Sequence, residues 1–241
     1  MTPYWNIVPV VSTRDMATRT TQRTERRADA LNKARIVDAA IRILDSGGED
    51  ALTFRALAAS LATGSGAIYW HVADKSELLA AGADQIVADV LSCAVGDAEP
   101  VAAIRAIALG VFDAIDAHPW VGRQLFREPW RPAMLQILEG VGGPLQAHGV
   151  PQHALFDAAS ALIGYILGVA AQNAANACLA RETERTDRST FLADVAARWS
   201  QLDAAEYPFV RQMAAQLRDH DDRQQFLAGV DLIMAGVGTV R

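Results

Sequence analysis

Apolar residues recur at helical spacing along almost the whole chain, interrupted by short polar or glycine-containing breaks. Residues 30–47, ALNKARIVDAAIRILDSG, place Ile36, Ala40, Ile43 and Leu44 on one face, and Gly47-Gly48 predicts the stop. Thr53 reads as the N-cap of a second, short helix, FRALAASLA, with Phe54, Leu57 and Leu61 inward. TGSG at 63–66 predicts a tight turn, glycine being the residue that tolerates positive φ. A third short helix is expected from about Ser65 to Val72. Asp74 caps a fourth, from 75 to about 93, with Leu78, Leu79, Gly82, Ile86 and Val90 facing in.

The larger remainder carries the same signal. Residues 101–117 predict a helix with Ile104, Ile107, Ala108, Val111, Phe112 and Ile115 inward, ended by His118-Pro119. WVGRQLF forms a short piece, and 131–149 a helix broken or kinked at Gly142-Gly143-Pro144. A long helix is expected from Pro151 to about Leu179, then a polar linker RETERTDRST. Helices FLADVAARWSQL, PFVRQMAAQL and 221–237 complete the chain, so the fold class is all-α.

Composition adds limits. About half of the 241 residues are hydrophobic and 21% charged, as in an ordinary globular protein. Cys93 and Cys178 stand far apart in no metal-type spacing, which suits a reducing cytoplasm. The longest apolar run, Ala158 to Ala171, falls short of the roughly 20 residues a membrane span needs. MTPYWNIVPVVSTRDM has no basic residue before Arg14 and too short an apolar core for a signal peptide; it reads as a disordered leader, with Met16 an alternative start.

The net charge of −6 is unevenly spread: residues 1–80 carry 10 Lys/Arg and 9 Asp/Glu, the remainder 12 and 19. Arg14, Arg19, Arg23, Arg26, Arg27, Lys33 and Arg35 form a basic stretch. An acidic body with a basic arm can still bind a polyanion, because the relevant field is local. The plainer reading of the arm is a solvated tail.

Two short helices joined by a glycine-containing turn and packed on a longer first helix describe a helix-turn-helix. In that motif the second short helix enters the DNA major groove with its N-terminal part. Ser65, Gly66 and Ala67 then lie where backbone must approach DNA closely. Ile68 points to the core, and Tyr69 is long enough to reach a phosphate while its ring packs on sugar. His71 and Lys75 are candidate phosphate donors, as is Arg55. Trp70 is expected to pack on the first or fourth helix.

The stretch LTFRALAASLATGSGAIYWHVADKSELL (52–79) resembles the DNA-binding domain of the tetracycline-repressor family, most specifically in IYWHVADKSELL. DDRQQFLAGVDLIMAGV (221–237) is similar to the last helix of the tetracycline-repressor branch. The resemblance implies operator contacts at Thr53, Arg55, Ser65, Gly66, Ala67, Tyr69, His71 and Lys75. It also implies a disordered basic leader at 1–29, a three-helix DNA-binding domain at 30–76 and a helical ligand-binding and dimerisation domain at 77–241. Ala67 departs from the more polar residue often found there, so base readout is expected to rest on thymine methyls, Ser65, the arm or DNA shape.

The long helix carries an apolar stripe, Leu155, Ala159, Leu162, Ile166 and Val169, and small residues at Ala161, Gly164, Gly168, Ala171 and Ala175. The last helix carries Phe226, Val230, Ile233 and Val237. Both stripes read either as core or, as the resemblance implies, as a homodimer interface; two heads about one DNA turn apart would read a palindrome. The resemblance further implies a pocket for a small-molecule effector among the middle helices. Candidate lining residues are Phe112, His118, Gln124, Phe126, Trp130, Met134, Tyr165, Gln172, Asn173 and Trp199, each of which also suits plain core. Tetracycline repressors hold a metal–drug complex through a histidine in this segment. HPWVGRQLFREPWRP aligns Leu125 there, so no magnesium–tetracycline binding, metal or cofactor is expected, and an apolar or aromatic effector is.

No P-loop, GxGxxG after a strand, HExxH, GxSxG or CxxC pair occurs. A helical enzyme or an interaction module without DNA binding are the competing classes. The expected function is a cytoplasmic, ligand-responsive repressor, not an enzyme, acting on double-stranded DNA.

Overall fold

The computed structural model describes residues 31–94, 99–127, 129–182, 188–217 and 220–239, all helix or connection. The expected leader at 1–29 and the alternative start at Met16 lie outside them.

Helix α1 is Lys33–Ala51, capped by Asn32, whose side-chain oxygen accepts from the Arg35 N–H at 2.9 Å. Its buried residues, Ile36, Val37, Ala39, Ala40 and Leu44, follow the spacing that predicted the helix. The predicted glycine stop is a kink: Gly48 sits at φ 69°, a conformation costly for any residue with a Cβ, and one more turn follows it. Thr53 caps α2 (Phe54–Ser60) by accepting from the Ala56 N–H at 3.1 Å. Helix α3 is short, Ser65–Tyr69. Helix α4, Lys75–Ala94, begins in a reciprocal cap: Asp74 accepts from the Glu77 N–H at 2.8 Å, and Glu77 from the Ala73 N–H at 2.7 Å.

The body is built around α5 (Pro100–Ala117), which packs against α4, α6 (Pro119–Leu125), α7 (Pro132–Ala147), α8 (Leu155–Glu182) and α11 (Asp222–Val237). All six residues predicted to face inward from α5 are buried. Helix α7 runs unbroken through Gly142-Gly143-Pro144. Pro144 lies in its last turn, where little helix remains to be disrupted, and Ile137, Val141 and Leu145 are wholly buried on either side.

The polar linker is shorter than expected. Arg181 and Glu182 end α8, and Arg188, Ser189 and Thr190 begin α9 (Arg188–Ser200). Helix α10, Pro208–Met213, is also shorter than its apolar pattern. Helices α9 and α10 pack on one another, and α9 reaches the rest through α8.

One continuous core runs from Ile36 to Val237 through head and body. Taken as a helix, the segment Leu155–Cys178 is 24 residues long with mean hydropathy 1.5, enough by length and composition to cross a membrane. In this fold one side of it is core, with Leu162, Ile163, Ile166 and Leu167 buried.

Candidate functional site

The head presents α2 and α3 at its surface. Ile68 and Val72 are buried and anchor α3; the Ile68 carbonyl accepts from the N–H groups of His71 (2.9 Å) and Val72 (3.1 Å). Ser65 and Gly66 are exposed, and a Cβ added at Gly64 or Gly66 would meet nothing within 4 Å. The backbone at the start of α3 is therefore open to a close partner. Thr53 and Arg55 at the start of α2 are exposed as well, and Ala67 and His71 are partly so.

Two aromatic placements differ from expectation. Tyr69 is 56% exposed, and its ring stacks on Phe54, centroids 4.2 Å apart and planes 7° from parallel. Trp70, expected to pack on α1 or α4, is 89% exposed. The reason is angular: with Ile68 inward, a residue two positions on is turned about 200° around the helix.

Lys75 does not extend into solvent. Its Nζ donates to the backbone carbonyl of Glu49 at the end of α1, tying α4 to the kinked last turn. Lys33 Nζ pairs with Glu77 at 2.6 Å across the same joint. The Ala73 N–H first, and then Lys33, hold the Glu77 carboxyl below the usual glutamate range.

A second joint links head to body. Asp45 on α1 accepts from the Trp120 indole N–H at 2.9 Å and lies 2.7 Å from His118 Nδ1. Trp120 is nearly buried, and its ring edge lies over Gly82, where a Cβ would come within 2.8 Å of it. Gln85 on α4 donates to Asp38 on α1 at 2.8 Å.

The largest cavity, about 640 Å³, lies between α5, α8, α9, α10 and α11. Of the predicted lining residues it brings together Phe112, Gln172, Asn173 and Trp199. Asn173 donates to Asp116 at 2.9 Å, and His220 faces Asp222 at 3.4 Å.

The other six candidates stand elsewhere. His118 borders a separate cavity between α4 and α5 and is held by Asp45. Gln124 and Met134 line a small cavity between α4, α6 and α7. Phe126 and Trp130 are 60% and 69% exposed. Tyr165 stands behind the wall: it stacks on Phe226, which stacks on Phe112, and its hydroxyl donates to the Phe226 carbonyl at 3.0 Å. Burial raises the Tyr165 phenol above its ordinary value. Phe191, Leu192, Met213 and Leu217 line the large cavity and were not anticipated. Their helical pattern was visible in FLADVAARW; which helix they would face was not.

The stripe predicted for pairing with a second copy is used inside the chain. Leu155 and Val169 are half-buried, Ala159, Leu162 and Ile166 buried, and so are Phe226, Val230 and Val237. What remains uncovered is the small-residue side of α8, Ala161, Gly164, Gly168 and Ala175, and the outer side of α11 with Leu232 75% exposed. Among the described residues no group of three His, Cys, Asp or Glu is placed to hold a metal, His148 and His153 included.

Comparison with known proteins gives consistent results. The family model of bacterial regulatory proteins, tetR family, matches residues 36–81, and that of the tetracyclin repressor-like C-terminal domain matches residues 100–241. The solved structure of the transcriptional regulator SCO7222 from Streptomyces coelicolor is 48% identical, with a TM-score of 0.77, over 86% of this chain and 98% of that one. The HTH-type transcriptional repressor DrrR1 of Streptomyces coeruleorubidus is 27% identical over 83% of this chain and 77% of its own. The Streptomyces coelicolor protein ActR, solved in complex with actinorhodin, shares the fold with a TM-score of 0.70 at 24% identity, over 86% of this chain and 95% of that one.

Proposed function

This chain belongs to the tetR family of bacterial regulatory proteins, and from that premise we propose that it is a repressor which binds palindromic operator DNA as a homodimer and is released by a small effector. The family is one of transcriptional regulators and not of enzymes. The repressor sense is supported by the likeness to the repressor DrrR1.

The observation that carries the reading is the surface of the head. An anchored helix start with open glycine backbone stands beside exposed Tyr69 and Trp70, an arrangement that neither core packing nor solvation requires. Residues 30–76 are assigned to DNA, with Ser65, Gly66 and Ala67 against base edges and Thr53, Arg55, Tyr69 and His71 against the backbone. Lys75 joins them only by leaving the Glu49 carbonyl, so its first role is to fix α4 on α1.

Residues 77–241 form the sensing and pairing part. The uncovered faces of α8 and α11 pair with their copies, glycines at 164 and 168 letting backbones approach. The 640 Å³ cavity suits a drug-sized molecule with an aromatic or apolar body and a few polar groups, read by Gln172, Asn173 and His220. Occupancy shifts α5, and through α6 and the Asp45–Trp120 joint it alters the spacing of the two heads. A cytoplasmic location follows from the target.

The test is fluorescence anisotropy of the purified protein on duplexes from the DNA upstream of its own gene, at two salt concentrations with competitor DNA. A discrete complex that weakens steeply with salt yet survives competitor is expected. Failure on that DNA and on fragments selected from the whole genome would overturn the reading.

A further inference from the structure

A smaller cavity, separate from the proposed effector site, lies between α4, α6 and the start of α7. Its volume is about 150 Å³, and Ser76, Asp84, Gln124, Arg127, Arg131 and Met134 line it. Gln124 is 8% exposed and is the one buried polar side chain among the described residues. Arg127 Nη1 donates to its Oε1 at 3.5 Å, which sets the direction of the amide. The amide Nε2 is left fully buried with no hydrogen-bond partner. Native interiors rarely leave such a donor unmet.

The surroundings specify the missing acceptor. Two arginines and one carboxylate, Asp84, line the cavity. Asp84 is engaged, accepting from the Ala133 N–H in the first turn of α7 at 2.9 Å. A water would satisfy the amide but would not balance the remaining positive charge. A carboxylate would do both, because guanidinium groups match its two oxygens.

We propose that this cavity binds a small monocarboxylate of about six heavy atoms or fewer, the size such a cavity admits. Gln124 Nε2 and the Arg127 guanidinium meet its oxygens, and Met134 lies against its carbon chain. The floor of the site is the first half of α4, the helix that Lys75 and Glu77 tie to the head. A bound carboxylate therefore braces α4 against α6 and α7; that it also tunes operator affinity rests on the function proposed above, whereas the binding itself does not.

The experiment needs no DNA. The full chain is titrated with propionate by calorimetry and thermal unfolding at constant ionic strength, with chloride and inorganic phosphate as parallel arms. Saturable propionate binding with a raised Tm is expected, with chloride silent and phosphate weaker. Gln124→Leu and Arg127→Gln should each weaken propionate by about tenfold, the value of one charge-assisted hydrogen bond. Arg127 is exposed, so R127Q decides the matter alone if Q124L does not fold. Absence of saturable propionate binding, unchanged affinity in R127Q, or phosphate binding as tightly as propionate overturns the proposal.

Discussion

Tyr69 lies flat on Phe54, one ring at the end of α3 and the other at the start of α2, 4.2 Å apart. The stack joins the two short helices of the head on their outer side, while Leu57 and Ile68 join them within. It presents the Tyr69 hydroxyl on a stiff support. Tyr69→Phe keeps the stack and removes the hydroxyl, so it should leave Tm unchanged and weaken binding to all DNA sequences alike. Phe54→Ala should cost about 1 kcal/mol beyond lost burial and lower affinity as well. Thermal unfolding beside anisotropy separates the two; equal Tm losses would mean that the hydroxyl itself is structural.

Lys75 offers a choice between two roles that salt can distinguish. Held by the Glu49 carbonyl, it acts inside the protein. Lys75→Ala is therefore expected to lower Tm while the slope of log affinity against log salt stays constant. A slope smaller by about 1 would instead mark a phosphate contact made when DNA binds.

The joint at Asp45 carries signal from body to head. Asp45→Ala leaves the buried Trp120 indole N–H without its acceptor, a loss of about 1–3 kcal/mol. Gly82→Ala drives a Cβ to 2.8 Å from the same indole, and the ring must shift. Both variants should keep operator binding and lose much of the effector response. An unaltered ratio of affinities with and without effector would remove this joint from the signalling route.

Glu77 gives the head an acid limit. Its carboxyl is held below the ordinary value near 4.5 by the Ala73 N–H and by Lys33. A depressed carboxyl contributes stability that is fully present above its unfolded pKa and is lost as pH falls through the folded one. Stability should therefore fall on acidification below about pH 4.5, and Glu77→Gln should flatten that limb while lowering Tm at neutral pH. The limb is measured by urea unfolding across pH 3 to 7, and it must differ between the two proteins.

Leu232 tests the pairing of copies. It is 75% exposed on the outer side of α11. Leu232→Glu should convert a dimer to a monomer in analytical ultracentrifugation and abolish tight operator binding without unfolding the chain. A wild-type monomer at micromolar concentration would sink the two-headed reading outright.

Much of this molecule was written locally. Helix periods, the Thr53 and Asp74 caps, the kink at Gly48 and the inward row of α5 depend on neighbours within a turn or two, so they were legible in residue order. The head was legible for the same reason: its turn, anchor and exposed rings fall within a few dozen residues. The tertiary structure decided what lay across the chain. Whether the stripe on α11 faced its own α8 or a copy of it is not a property of either helix, and the fold placed Phe226 and Val230 inside. Which aromatics share a cavity depended on how α9 and α10 fold back, which left Phe126 and Trp130 outside and gathered Phe191 and Leu217. The partners of Lys75 and Asp45 lie 26 and 75 residues away, at a backbone carbonyl and an indole. Sequence pattern reports which face of a helix is apolar; only packing names what that face touches.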